Sequence, residues 1–152
     1  MRTRGVSHRQ AECPVARTVD LIGDRWSLLI VRDAFDGIRR FSELQRNLGL
    51  AKNILAARLR ELVAQGILEV VPAADGSAYH EYTLTPKGRE LFSVIVALRK
   101  WGETYLFEEG EPRSTLLDTE NERPIRLHLT DTTGRPISAA DTFVRKVNAH
   151  PA

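Results

Sequence analysis

The sequence predicts a mainly helical α+β fold: two short helices joined by a tight turn, then a β-hairpin, then a long helix. Three observations carry this prediction. Residues 41–66, FSELQRNLGLAKNILAARLRELVAQG, hold two runs of helical apolar periodicity separated by Gly49. Residues 67–84 hold two β-forming runs around a turn rich in Pro, Asp, Gly and Ser. Residues 85–107 return to apolar spacings of three and four, the repeat of a helix face.

In chain order, residues 1–11 are polar, carry Arg2, Arg4 and Arg9, and are expected to form a mobile arm. Cys13-Pro14 opens a helix, because Pro suits the first helical position. Val15, Val19 and Ile22 give that helix an apolar face, and Gly23 ends it. Asp24 is an N-cap for the next helix, RWSLLIVRDAF, on which Trp26, Leu29 and Ile30 face inward. Asp33 and Asp36, three apart near its end, read as surface residues before an Asp36-Gly37 turn. Arg39 and Arg40 follow, placed either to clamp phosphate or simply to be solvated.

The central stretch begins at Ser42, where Ser42 and Gln45 match a capping box. Leu44 and Leu48 form one apolar stripe, and Gly49 suits the left-handed residue that ends a helix. The second helix is expected over Ala51–Gln65, with Leu55, Leu59 and Leu62 on the buried face, Val63 beside them and Gly66 closing it. Its opposite face carries Lys52, Asn53, Ala56, Ala57 and Arg60, with no acid before Glu61. Small residues let a backbone approach a major groove, Asn pairs with adenine, and Arg or Lys reaches guanine or phosphate. A solvated helix face has the same composition. Ile67–Val71 and Tyr79–Leu84 then read as two strands around the turn Pro72–Ala78. Helix, turn, helix and hairpin is the order of a winged helix-turn-helix module, with the hairpin as the wing.

Thr85 and Pro86 cap and open a helix expected to reach Phe107. Leu91, Ile95, Leu98, Trp101 and Tyr105 form its stripe, widened by Phe92, Leu106 and Phe107. This exceeds the apolar surface a small domain needs and points to a dimer interface, with packing on its own domain or on the tail as the alternative. Residues 1–107 therefore read as a DNA-binding and dimerisation domain, and 108–152 as an acidic linker with a small β-containing extension. In the extension, Ile125–Thr130 alternates as a strand, Asp131–Pro136 is a turn, and Ile137–Val147 is a second strand or an irregular return. His128 has no ligand cluster around it.

The 152 residues suit one domain with a tail, and 42% hydrophobic content suffices for a core. No apolar run reaches membrane-spanning length, and MRTRGVSHRQ lacks the apolar core of a signal peptide, so no membrane and a cytoplasmic location are expected. One cysteine excludes an internal disulfide, and with four histidines it gives no zinc motif; no metal or cofactor is expected. Net charge is only +2, but residues 1–60 hold twelve Lys/Arg against six Asp/Glu, whereas residues 108–152 hold six against eight. A basic front half favours a polyanion partner. The sequence contains no Gly-rich phosphate loop, His-Glu metal motif or nucleophile elbow, so no enzyme is expected.

Five blocks together resemble the HxlR-type (MarR-like) winged-helix transcriptional regulators. They are CPVARTVDLIGDRWSLLIVRD (Cys13–Asp33), RRFSEL (Arg39–Leu44), the L-x-x-R-L-R-E-L pattern of Leu55–Leu62, EYTLTPKGREL (Glu81–Leu91) and L-x-x-W-G (Leu98–Gly102). The resemblance covers residues 11–107. It implies a bacterial or archaeal dimeric DNA-binding regulator without enzymatic activity, whose residues 51–60 enter the major groove. It also implies that Arg40, Ser42 and Arg58 hold the DNA backbone, with Tyr79 and His80 of the wing near flanking phosphates. Pairing of the long helix with its copy would set two recognition helices against a pseudo-palindromic operator.

Two departures bear on DNA reading. Ala51 stands where the family usually has a capping Ser, and Ala56 where a Ser or Thr is usual. Base contacts are then expected from Lys52 and Asn53, with a methyl contact from Ala56, while Arg40, Ser42, Arg58 and Arg60 serve phosphate. The wing has few cations and is expected to add little. The resulting expectation is a homodimeric repressor bound to double-stranded DNA. The alternative is a winged-helix interaction module that has lost DNA binding. Cys13 at a helix N-terminus is the redox- or electrophile-sensing candidate, with a small buried residue that fits the helix start as the alternative. A small aromatic effector held by Trp26, Trp101 and Tyr105 would add to DNA binding.

Overall fold

The computed structural model describes residues 5–147, which group into two compact units, Met1–Ile95 and Val96–Ala152. Arg2 and Arg4 of the expected arm lie outside the described residues.

The first unit begins with α1 (Pro14–Ile22) and α2 (Ser27–Phe35). Cys13 is the N-cap of α1 and Pro14 its first residue, as the fixed φ of proline favours. The Asp24 carboxylate accepts the N–H groups of Trp26 at 2.9 Å and Ser27 at 3.0 Å, and also the Ser27 hydroxyl. It caps the turn as expected, although the regular helix starts only at Ser27. Partial burial opposes ionisation of Asp24, but those hydrogen bonds and the Arg58 charge prevail and hold its pKa below the ordinary value.

α3 (Phe41–Leu48) starts earlier than the sequence suggests. Arg40, in extended conformation, is its N-cap, so Ser42 sits inside the first turn and forms no capping box. Gln45 instead donates to the Leu50 carbonyl at 3.3 Å, across the turn that Gly49 makes at φ +66°. A side chain would strain that left-handed backbone, which explains the glycine. α4 (Lys52–Ala64) follows, with Ala51 as N-cap and no side chain capping it. Its Leu55, Leu59 and Leu62 are buried with Ile30 and Val31 of α2, Leu44 of α3, and Leu68.

Asp33 corrects a surface expectation: it is only 1% exposed. The reason is its partners. Arg32 donates from Nε at 3.0 Å and Nη2 at 2.8 Å, and Asn47 of α3 donates at 2.7 Å. A carboxylate so satisfied can be buried, and it joins the end of α2 to α3.

The wing is β1 (Leu68–Pro72) paired antiparallel with β2 (His80–Leu84), in register from Leu68 opposite Leu84 to Pro72 opposite His80. The Tyr82 N–H donates to the Arg39 carbonyl at 2.8 Å, which anchors the wing to the segment before α3. The expected single helix from Thr85 to Phe107 is two: α5 (Pro86–Arg89), capped by the Thr85 hydroxyl on the Gly88 N–H at 3.0 Å, and α6 (Phe92–Tyr105). At the break the Leu91 N–H reaches back three residues, to Gly88, before Ile95 resumes the four-residue bond to Leu91. Gly88 is pressed against the Ile67 carbonyl, where a Cβ would lie 2.1 Å from the oxygen. That close approach fixes α5 and leaves Leu91 and Ile95 to pack on the core.

The second unit holds Val96–Tyr105 of α6 and the tail. The expected strand over Ile125–Thr130 is not formed. β structure there is limited to isolated bridges, Leu117 to Pro124 and Thr130 to Pro136. Alternation alone makes no strand without a partner, and the candidate partner segment is occupied by a short 3₁₀ turn, Ala139–Asp141, closed by a Ser138–Asp141 capping box. Local brackets order the rest. Asp118 accepts the N–H groups of Glu120, Asn121 and Arg123, and Asp131 those of Thr133 and Arg135. Arg99 of α6 donates to the Ser114 carbonyl at 3.1 Å and hydroxyl at 2.9 Å. Among the described residues, no helix is long and apolar enough to cross a membrane.

Candidate nucleic-acid interface

With no side chain capping α4, the Lys52 and Asn53 N–H groups of its first turn are left to an outside acceptor, while that of Ile54 donates to the Ala51 carbonyl at 3.1 Å. A helix N-terminus so exposed favours an anion. Lys52, Asn53 and Arg60 are exposed, and Ala56 and Ala57 are half-buried. At 100° per residue, Asn53, Ala57 and Arg60 lie opposite the buried Leu55–Leu59–Leu62 stripe, with Lys52 and Ala56 on one flank. Arg58 is on the other flank, where Nη1 lies 3.7 Å from Asp24 Oδ1. It ties α4 to the turn before α2, a role the sequence did not reveal.

The one acid near this face, Glu61, is engaged. Arg9 pairs with it at 3.1 Å and Gln65 donates to it at 3.0 Å. Arg9 also lies 3.8 Å from Asp20, whose carboxylate accepts the His8 N–H at 3.1 Å. The described part of the expected mobile arm is therefore fastened to α1 and α4. Asp20 and Glu61 are the anchors, and neither stands out in the sequence.

At the wing, Arg40, Phe41 and Ser42 meet Tyr79, His80 and Tyr82 around a cleft of about 550 Å³. Four predicted residues from two distant segments, Arg40, Ser42, Tyr79 and His80, are thus brought together. The Arg40 guanidinium is already occupied. It pairs with Asp75 in the wing turn, lies 3.9 Å from Glu81, and stacks 5.5 Å from the centre of the Tyr79 ring. Arg39 reaches the other Glu81 oxygen at 3.7 Å. Glu81 is buried between the two arginines. Its position opposite Val71 in the ladder, facing an Arg-Arg pair, is the signal that could have identified it.

Asp75 is held well below its ordinary pKa, at about 2. Ser77 is the larger cause: its hydroxyl sits against the carboxylate, short of good hydrogen-bond geometry, and its backbone N–H donates at 2.9 Å. Arg40 adds to the shift and is itself raised by the Asp75 bond.

Cys13 is exposed at the N-cap of α1. The expected dimer stripe divides. Leu91 and Ile95 are partly buried on the first unit's core, whereas Leu98, Trp101 and Tyr105 are exposed, with the Trp101 and Tyr105 rings 5.3 Å apart. Trp26 packs on the core of the first unit. Among the described residues, no group of His, Cys, Asp and Glu could hold a metal ion.

Residues 21–110 match the model of the HxlR-like helix-turn-helix family. The chain is 47% identical over 113 residues to the uncharacterized HTH-type transcriptional regulator Rv3095 of Mycobacterium tuberculosis, spanning 74% of this chain and 72% of that protein. It is similar to the crystal structure of PA1607, a candidate transcription factor, with TM-score 0.87 and 53% identity over 93% of this chain and 100% of that one. The redox regulator HypR in its oxidized form gives TM-score 0.55 and 34% identity over 60% of this chain and 96% of that one. The chain belongs to the HxlR-like helix-turn-helix family of transcriptional regulators.

Proposed function

We propose that the protein is a homodimeric, sequence-specific DNA-binding repressor. The observation that carries this reading is the outer face of α4: Lys52, Asn53 and Arg60 exposed, two alanines beside them, an uncapped N-terminus, and the nearest acid neutralised by Arg9. Such a face fits a major groove, with Asn53 and Lys52 at base edges, a methyl contact from Ala56, and Arg60 at the backbone. Arg40, Ser42, Tyr79 and His80 converge on one cleft and supply the flanking backbone contacts, while Arg58 supports the edge of α4. The exposed stripe Leu98, Trp101 and Tyr105 supports pairing of α6 with its copy, with Leu91 and Ile95 at the margin, so that two α4 helices address a pseudo-palindromic operator. Repression requires only occupancy of a promoter.

The test is a fluorescence-anisotropy titration of the full chain against duplex DNA from the region upstream of its own gene, at two salt concentrations. Binding should weaken steeply with salt and fall in the Lys52→Ala/Arg60→Ala double variant. Salt-independent binding, or none, would favour the interaction module instead.

A second reading concerns regulation. Cys13 is exposed at a helix N-cap, and the chain is similar to the redox regulator HypR. Alkylation of Cys13, or its capping by a small thiol under an oxidant, is proposed to release DNA. An electrophile should abolish binding by the wild type and spare Cys13→Ser. Equal loss in both would remove Cys13 from the switch.

A further inference from the structure

The tail is ordered without a core of its own. Aspartate-bracketed turns at Asp118, Asp131 and Asp141 fix its path by local hydrogen bonds. Leu116, Ile125 and Ile137 are half-buried, but the apolar residues of its last described stretch are turned outward: Phe143 is 80% exposed, Val144 78% and Val147 70%. In the same unit, α6 leaves Trp101 59% and Tyr105 68% exposed beside Leu98. Two apolar surfaces in one unit, neither covered within a single chain, are what reciprocal exchange between two copies would cover at once. A closed two-fold arrangement needs both surfaces on every copy.

We infer that the segment from Thr142 to Val147 is an exchanged arm, which closes over the α6 stripe of a second copy of this chain. The inference rests on the α6 dimer proposed above and adds the tail as a second half of its interface. Area favours this occupant. The three exposed aromatics alone offer on the order of 400 Å² per chain. Two copies with the adjoining aliphatics pass about 1,000 Å², the threshold for a specific interface, whereas an uncovered patch of that size is rare on a monomer. The arm lies past residue 110, where the match to the family ends, so the exchange is a feature of this chain's extension.

The experiment is sedimentation equilibrium of the full-length protein over a dilution series, with far-UV circular dichroism as a fold check. Wild type should dimerise, and Phe143→Asp/Val144→Asp should dissociate at least about tenfold more readily with an unchanged spectrum. Should Trp101→Glu dissociate the dimer while the arm variant matches wild type within about twofold, the exchange is overturned and the α6 dimer stands. A wild type that stays monomeric overturns both. A second measurement covers loss of fold in the arm variant. In a Cys13→Ser background, a tagged copy carrying Val144→Cys is mixed with an untagged copy carrying Tyr105→Cys and oxidised. A disulfide-linked heterodimer supports the exchange, and its absence overturns it.

Discussion

Replacing Asp75 with asparagine separates the charge of the wing from its shape. Asparagine keeps the oxygen that accepts the Ser77 N–H at 2.9 Å, so the turn is preserved, but the ion pair with Arg40 is lost. If Arg40 contacts phosphate, it does so in competition with Asp75, and the substitution frees the Nη2 end of one guanidinium in each wing while Nε stays 3.9 Å from Glu81. Each phosphate contact contributes about 0.9 to the slope of log affinity against log salt, so a dimer with two freed arginines gains about 1.8. Asp75→Asn should therefore bind duplex more tightly than wild type at 50 mM salt. Its advantage should shrink roughly tenfold by 200 mM, a fourfold rise in salt raised to that slope. Anisotropy titrations at those two concentrations measure both quantities. Unchanged or weaker binding with an unchanged slope would refute a phosphate role for Arg40. Because the Asp75 carboxyl is lowered from 3.8 to about 2, the ion pair is fully present above pH 3.8 and is lost only as pH falls toward 2. The affinity gain of Asp75→Asn should accordingly be the same at pH 6 and pH 8.

Further predictions follow from the same geometry. Arg60→Ala should flatten the salt slope by about 0.9 per protomer with little change in operator preference, whereas Lys52→Ala and Asn53→Ala should each relax the preference at one base pair by about 1–3 kcal/mol. Competition titrations with single-base operator variants separate the two outcomes. Ala51→Ser restores a cap to α4 and should stabilise the protein by about 1 kcal/mol, read as a higher urea midpoint at constant slope. Asp33→Ala breaks a buried carboxylate's bonds to Arg32 and Asn47; since both partners can regain water, the loss should be about 2–3 kcal/mol by the same assay.

The helix-turn-helix was legible because its information is local and periodic. Leu55, Leu59 and Leu62 could be assigned to one buried face from spacing alone, and Gly49 could be assigned a left-handed turn because few residues accept one. Ser42 misled because a capping box is a pattern of types, while the helix start is decided by where Arg40 and Phe41 must pack. Asp33, Asp75 and Glu81 escaped for a common reason. Each acid looks like solvated surface until the fold brings a distant partner to it: Asn47 across 14 residues for Asp33, Arg40 across 35 for Asp75, and Arg39 and Arg40 across 42 and 41 for Glu81. These hidden pairings bear on function more than the misplaced cap does. A cationic patch counted from sequence overstates the charge available to DNA: Arg40 and Arg58 are committed to internal acids, whereas Lys52 and Arg60 have no ion-pair partner among the described residues. The tail failed for the opposite reason. Its strand-like alternation was real, but strands are made by continuous partners, and among the described residues an isolated bridge, Thr130 to Pro136, is all the ladder that residues 125–130 find. The apolar side of that alternation, with Leu129 exposed like Phe143 and Val144, is then better read as surface shaped for a second copy than as a strand that failed to form.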